Sequence, residues 1–237
     1  MNLNEVLRDA DMILVGIGEE FQEKFLDFPL FDEKNPTILE EYDRKKYLDN
    51  CENDDIIEAY RILEKLLVSK NYFVITLCND DKIFKTQINP DRIVSPCGSY
   101  SYLQCEEVCT KDIYSIKEFE SELGEGKEPT CPHCGKKLVV NRIGCGKYSE
   151  EGYLNKWNLY MKWLQGTLNK NICIIELGVG MKYPSVIRWP FEKIAFINKK
   201  AKFIRVHELF YQLTEEISEK GVSLKANPVD FLRNQIV

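Results

Sequence analysis

Only two histidines, His133 and His207, occur in 237 residues, so any chemistry that needs an imidazole has little to draw on. No apolar run is long enough to span a bilayer, which excludes a membrane-spanning helix, and no membrane partner is expected. Positive charge is not in excess: 32 Lys and Arg stand against 38 Asp and Glu, for a formal net charge of -6. An acidic chain lacks the basic footprint that phosphate backbones require, so nucleic-acid binding is not expected. There is no internal repeat and no low-complexity tract, which argues against solenoid architectures. The first eleven residues are polar and charged and do not read as a signal peptide, so a cytoplasmic location is expected.

Cysteine, by contrast, is plentiful. Nine cysteines in a reducing compartment favour metal binding or chemistry over disulfides. The remaining composition, 44% hydrophobic and 30% charged, is that of an ordinary globular chain. Its length allows one sizeable core plus a small insert, and falls short of two full α/β domains.

Short apolar runs punctuate the chain. Met12 to Gly18, Tyr72 to Cys78 and Ile172 to Gly180 read as buried strands, two of them running into glycines. Arg92 to Ser95, Phe203 to Val206 and Val222 to Leu224 read as shorter extended pieces. Helical segments are expected over Thr37 to Asn50 and Asp54 to Ser69, the second with Ile57, Ile62, Leu63, Leu66 and Leu67 on one face. Glu19 to Phe31 mixes acids with aromatics and breaks near Pro29. Glu150 to Asn169 is the clearest helix, with Leu154, Trp157, Met161, Leu164 and Leu168 at three- and four-residue steps. Pro184 to Ile197 reads as a helix or irregular crossover, and Pro228 to Gln235 as a final helix. Buried strands alternating with helices predict an α/β fold: a Rossmann-like, mostly parallel sheet with helices on both faces. Residues 1–99 and 147–237 are assigned to this domain, with a helical insertion over about 30–70. Residues 100–146, where cysteines, lysines and turns replace the apolar pattern, form an inserted small module.

That module carries two cysteine pairs. Cys105 and Cys109 are three residues apart in spacing, and Cys131 and Cys134 two, as Cys-Pro-His-Cys-Gly. Two close pairs on two turns deliver four soft ligands to a tetrahedral zinc ion, and the glycine after Cys134 permits the tight turn. Four thiolates leave zinc no open position, so a structural role is expected. The alternative is four reduced cysteines at a chance spacing. His133, between two ligands, reads as a solvent-facing knuckle residue.

In parallel sheets ligands bind beyond the carboxyl ends of the strands. Here those ends are Gly16-Ile17-Gly18, Asn79-Asp80-Asp81 and Gly178-Val179-Gly180. Together with the thiol module, their order resembles that of the sirtuin family, in which a four-cysteine zinc module is inserted into a Rossmann-like NAD-binding domain. The resemblance covers nearly the whole chain and rests on order and spacing more than on any one motif.

What the resemblance implies follows residue by residue. Gly16 and Gly18 match the glycines of a Gly-Ala-Gly-Ile-Ser turn at the NAD phosphates, with Glu19 and Glu20 where hydroxyl chemistry is expected; a plain strand-to-helix turn is the alternative. Thr76 to Asp81 keeps an Asn-x-Asp ending with one extra residue, implying Asn79 at the nicotinamide ribose and Asp81 at the carboxamide; an Asn/Asp turn would look the same. Pro96-Cys97-Gly98-Ser99 stands where the family has the His-Gly of its general base. Cys97 thus replaces the base, and neither histidine can substitute by position. A thiol of ordinary pKa ~8.5 is mostly protonated at pH 7, and Cys97 equally suits a small buried apolar position. Gly178 to Gly180 replaces Gly-Thr-Ser, leaving only backbone N–H groups to meet a phosphate or adenosine. His207-Glu208 stands near the place of an adenine-ribose asparagine, with no role assigned.

Nicotinamide expulsion itself needs no strong base. The expectation is therefore an NAD-dependent transferase, with ADP-ribosyl transfer or NAD cleavage favoured over lysine deacylation. The chain looks closer to bacterial sirtuins of the macrodomain-associated type, some of which also lack the histidine, than to deacylases, although its Cys97 differs from their replacement. NAD and a protein substrate are the expected partners. Two alternatives stay open: a non-catalytic NAD or ADP-ribose sensor, and a zinc-ribbon interaction module with no nucleotide.

Overall fold

The computed structural model describes residues 1–22, 36–50 and 54–235. The expected break near Pro29 lies outside these residues. Nine strands are seen among them: β1 (Met12–Ile17), β2 (Tyr72–Thr76), β3 (Ile93–Val94), β4 (Gly98–Cys105), β5 (Tyr114–Ser115), β6 (Leu138–Arg142), β7 (Ile172–Leu177), β8 (Lys202–Val206) and β9 (Gly221–Leu224). Six of them form one sheet in the order β3-β2-β1-β7-β8-β9, every pairing parallel. The strands form where the apolar runs lie. β1 and β7 are buried along their whole lengths, as a parallel sheet covered on both faces requires.

The helices are α1 (Leu3–Arg8), α2 (Ile38–Asn50), α3 (Asp54–Leu67), α4 (Glu120–Gly124), α5 (Glu151–Gln165), α6 (Arg188–Ile197), α7 (Glu215–Ser218) and α8 (Pro228–Arg233). Alternate residues of β1 point to opposite faces. Ile13, Val15 and Ile17 join α1, α3 and α8 in one core, while Met12 and Leu14 join α5, α6 and α7 in another. After β1 the chain builds outward through β2 and β3, then returns to place β7 on the other side of β1. That reversal of strand order puts a topological switch point between β1 and β7, the place where parallel sheets of this kind bind ligands beyond the carboxyl ends of their strands.

Some element details differ from the sequence reading. β7 ends at Leu177, because Gly178 turns into the left-handed region with φ +66°, while β1 runs through Gly16 and ends at Ile17. α5 stops at Gln165 rather than Asn169. Its end is closed by the Thr167 hydroxyl donating to Leu164 O at 2.7 Å and by Asn198 Nδ2 donating to Thr167 O at 2.9 Å. The buried face of α5 is also rotated from the expected one. Met161 and Leu168 are exposed, and Trp157, Tyr160 and Trp163 face the sheet, with Tyr160 and Trp163 against Phe73. On α3, Ile56, Ala59 and Tyr60 carry more of the buried stripe than Ile57 and Ile62.

The module is a three-stranded antiparallel sheet, β5-β4-β6. Helix α2 shares its core: Ile38, Tyr42 and Leu48 pack with Tyr100, Leu103, Leu138 and Val140. The α2–module contact also holds polar groups, Glu41 against Arg142 and Arg44 against the Tyr100 hydroxyl at 3.0 Å. Among the described residues, no helix is long and apolar enough to cross a membrane.

Candidate functional site

Three strand ends are laced together by backbone hydrogen bonds that continue the ladder. Gly18 N donates to Leu177 O at 2.8 Å, Leu77 N to Ile17 O at 2.9 Å and Gly178 N to Val206 O at 2.8 Å. The close approach explains the glycines. A Cβ on Gly18 would lie 2.1 Å from Gly178 O, and one on Gly178 2.6 Å from Glu20 Cβ. Gly16 has a different duty: its missing Cβ makes room in the core for Ile187, just before α6, and for Phe191 of α6. Gly180 completes the crevice wall, near Glu19 and His207 Nε2.

The two acids after the turn point inward. Glu19 Oε2 accepts the Gly180 N–H at 2.9 Å, and Glu20 accepts the Glu208 N–H at 3.3 Å. His207 Nδ1 accepts the N–H groups of Leu209 and Phe210 at 3.0 and 3.1 Å. Glu20 Oε1 also approaches this nitrogen, at 3.0 Å. Neither the inward turn of Glu19 nor the anchoring of His207 was visible as more than an acidic turn and a strand-end His-Glu.

The polar end of β2 splits into two directions. Asn79 stays with the crevice, its Oδ1 accepting from Gln22 Nε2 at 2.7 Å just beyond the glycine turn. Asp80 is 4% exposed, and its charge helps raise the Cys78 thiol and the Tyr60 hydroxyl behind the turn, where burial is the larger cause. Asp81, at φ +60°, turns away: its Oδ2 accepts from Ser99 Oγ at 2.5 Å and from Ser101 Oγ. Burial holds the Asp81 carboxyl above its ordinary value against the pull of those hydroxyls. Asp81 and Gly98 line a separate cleft of about 510 Å³ between the module and α5, with Phe84, Tyr102 and Tyr153 among its walls. Asp81 and Gly98 thus line this cleft, whereas the Asn79 side chain meets Gln22 and Gly18 meets the β7 turn. Gly98 is required by packing instead, since with φ +84° its Cβ would meet Asn141 O at 2.1 Å.

Cys97 is 3% exposed, in the core with Leu77, Val94, Val179 and Ile187. Burial first and the Glu19 carboxylate second push its thiol up to about 12, with Lys182 opposing. A thiol so placed stays protonated at neutral pH. The expected catalytic use of Cys97 as a base therefore finds no support in its surroundings, and the apolar alternative matches them.

In the module, the sulfurs of Cys105, Cys109, Cys131 and Cys134 all lie within 4.8 Å of one another. Tetrahedral zinc with Zn–S of about 2.3 Å sets its sulfurs roughly 3.8 Å apart, so the donor set fits that ion. Two of the pairs, Cys105–Cys134 and Cys109–Cys131, approach to 3.5 Å. Gly135 takes φ +72° and donates to Cys131 O at 2.9 Å, the tight turn that brings the second pair together. His133 Nε2 meets Asp112 at 2.7 Å on the surface, outside the thiol set.

Comparison with known proteins agrees with this geometry. No family model matches the chain. A protein ADP-ribosyltransferase of Staphylococcus aureus is 22% identical over 263 aligned positions, covering 93% of this chain and 82% of that protein. A probable bifunctional ADP-ribose hydrolase/ADP-ribosyltransferase of Fusarium oxysporum f. sp. cubense is 30% identical over 145 positions, 54% of this chain; the match spans 24% of that longer protein. Among solved structures, Sir2Tm bound to a propionylated peptide superposes with a TM-score of 0.60 at 15% identity, covering 97% of this chain and 93% of that one. A Sir2 complex with p53 peptide and NAD+ gives a TM-score of 0.58 at 14% identity, again over 97% of this chain and 93% of that one. The chain therefore has the Sir2 fold, in a divergent, sirtuin-like form.

Proposed function

We propose that this Sir2-fold chain is an NAD-dependent ADP-ribosyltransferase for which lysine deacylation is not the main reaction. The observation that carries the reading is the state of Cys97. It stands where the family resemblance places a base, yet it is buried among apolar side chains with its thiol pushed up to about 12. It cannot take a proton from a ribose hydroxyl at neutral pH. The full-length likeness to a protein ADP-ribosyltransferase supports the same reading.

NAD, when bound, supplies an electrophilic ribose carbon with nicotinamide as the leaving group. The chain's own residues bind and orient it. Gly18 and Gly178 bring backbone close to the crevice, since neither has room for a Cβ. Asn79 is held toward the glycine turn by Gln22, in keeping with a ribose contact. For the carboxamide we favour Asp80 over Asp81, because Asp81 turns toward Ser99 and Ser101 while Asp80 lies close enough behind the glycine turn for its charge to act on Cys78. Cys97 closes the wall and excludes water. Cys105, Cys109, Cys131 and Cys134 would hold a structural zinc ion that takes no part in the chemistry. The Sir2 neighbours solved with bound peptides suggest a protein acceptor.

The test is incubation of the purified protein with NAD and candidate acceptor proteins. Release of nicotinamide together with a mass increase of one ADP-ribose on an acceptor is expected. Binding of NAD with no nicotinamide release and no transfer would leave a nucleotide sensor in place of an enzyme.

A further inference from the structure

Glu19 follows directly on the glycine turn of β1, and its carboxylate points into the crevice. One oxygen accepts the Gly180 N–H at 2.9 Å; the other is buried and has no hydrogen-bond partner among the described residues. Among the described residues no cation forms an ion pair with it, although Arg188 is near enough for the two charges to interact. The Arg188 guanidinium is spent on backbone, donating to Val179 O at 2.9 Å and to Phe210 O at 2.8 Å. Lys182 is exposed. Its charge is felt at Cys97, where after burial it raises the thiol against the opposing Lys182, and more weakly at Cys78, where burial and Asp80 come first. A sequestered carboxylate with one oxygen unsatisfied is costly to maintain, and a positive charge brought in by a ligand offsets that cost.

We propose that Glu19 is the charge-selecting group of this crevice, favouring a dinucleotide whose nicotinamide ring is positively charged over its reduced form and over ADP-ribose. The inference rests on the nucleotide reading above and deepens it. Exact placement of the ring is not required. Two unit charges ~10 Å apart at an effective dielectric of ~20 interact strongly enough to change affinity more than tenfold. The same carboxylate repels a diphosphate, but NAD+, NADH and ADP-ribose all carry one, so that repulsion cancels in the ratio of their affinities.

The experiment is calorimetry of NAD+, NADH and ADP-ribose with the wild-type protein and with Glu19→Gln. Glutamine keeps an acceptor for the Gly180 N–H and removes the charge. The wild type should bind NAD+ at least about tenfold more tightly than NADH or ADP-ribose, and in Glu19→Gln both preferences should shrink about tenfold. Glu19→Ala should shrink them equally, and serves if thermal unfolding shows Glu19→Gln to be misfolded. A wild type that binds NADH as tightly as NAD+ overturns the proposal without any variant. So do preferences that stay within about twofold in the charge-free variants, while the nucleotide reading survives both results. A wild type that binds none of the three ligands at millimolar concentration overturns the nucleotide reading, and this proposal with it.

Discussion

Arg142, at the end of β6, donates from Nε to Glu41 of α2 at 2.7 Å, joining residues 101 positions apart. Both side chains are buried. Burial holds the Glu41 carboxyl above its ordinary value even though Arg142 draws it down. The pair therefore fixes where α2 docks more than it adds net stability. Arg142→Met alone leaves Glu41 buried and unpaired and should cost about 3–5 kcal/mol in urea unfolding. Glu41→Leu with Arg142→Met should cost less than the sum of the two single changes. Strict additivity would show that the two side chains do not act as a pair.

Gly16 and Gly18 should separate packing from ligand contact. Gly16→Ala pushes on Ile187 Cγ2 and Phe191 Cε2 at 2.6 and 2.9 Å, side-chain atoms that can shift, and should cost about 1–3 kcal/mol of stability with NAD affinity retained. Gly18→Ala drives a methyl group into the Gly178 carbonyl and must pry two strand ends apart. It should abolish NAD binding measured by calorimetry. Equal losses of affinity in the two variants would return Gly16 to the ligand contacts.

Purified protein should contain one zinc ion per chain by elemental analysis. Cys131→Ser should lower that content, and a strong chelator should loosen the module, read as faster amide exchange along β4 and β6. Native, well-folded protein without metal would refute the zinc assignment and leave four reduced thiols at close quarters.

Acetyl-lysine peptides should be deacetylated weakly or not at all, because loss of base catalysis typically costs ~10²–10⁴-fold. Cys97 should also resist iodoacetamide at pH 8 in the native state, since its thiol is buried and pushed up to about 12. Peptide mapping after alkylation reads this directly. Cys97→His tests whether the position still has the geometry for a base, with a gain in deacetylation as the expected direction. Wild-type turnover on the order of 1–10 per second with acetyl-lysine peptide would mean that another group serves as base.

Much of this protein is settled by local sequence. Apolar runs too short for helices become the buried strands, Gly178 ends β7, and Gly135 lets Cys-Pro-His-Cys-Gly turn tightly. The order of these pieces is enough to indicate a parallel sheet with an inserted thiol module, and so the crevice at the ends of β1 and β7. Tertiary structure decided what the same residue types do once packed. Gly16 and Gly18 look alike in sequence, but α6 takes the space beside one and the β7 turn the space beside the other. Asp80 and Asp81 are neighbours, yet Ser99 and Ser101 draw the second into a different cleft. Helix α2 could have joined either core, and Arg142 together with the face of β4 and β6 claims it for the module. Spacing along the chain reports periodicity. The direction in which a side chain points is set by groups that only folding brings beside it, as Gly180 is brought to Glu19 across 161 positions.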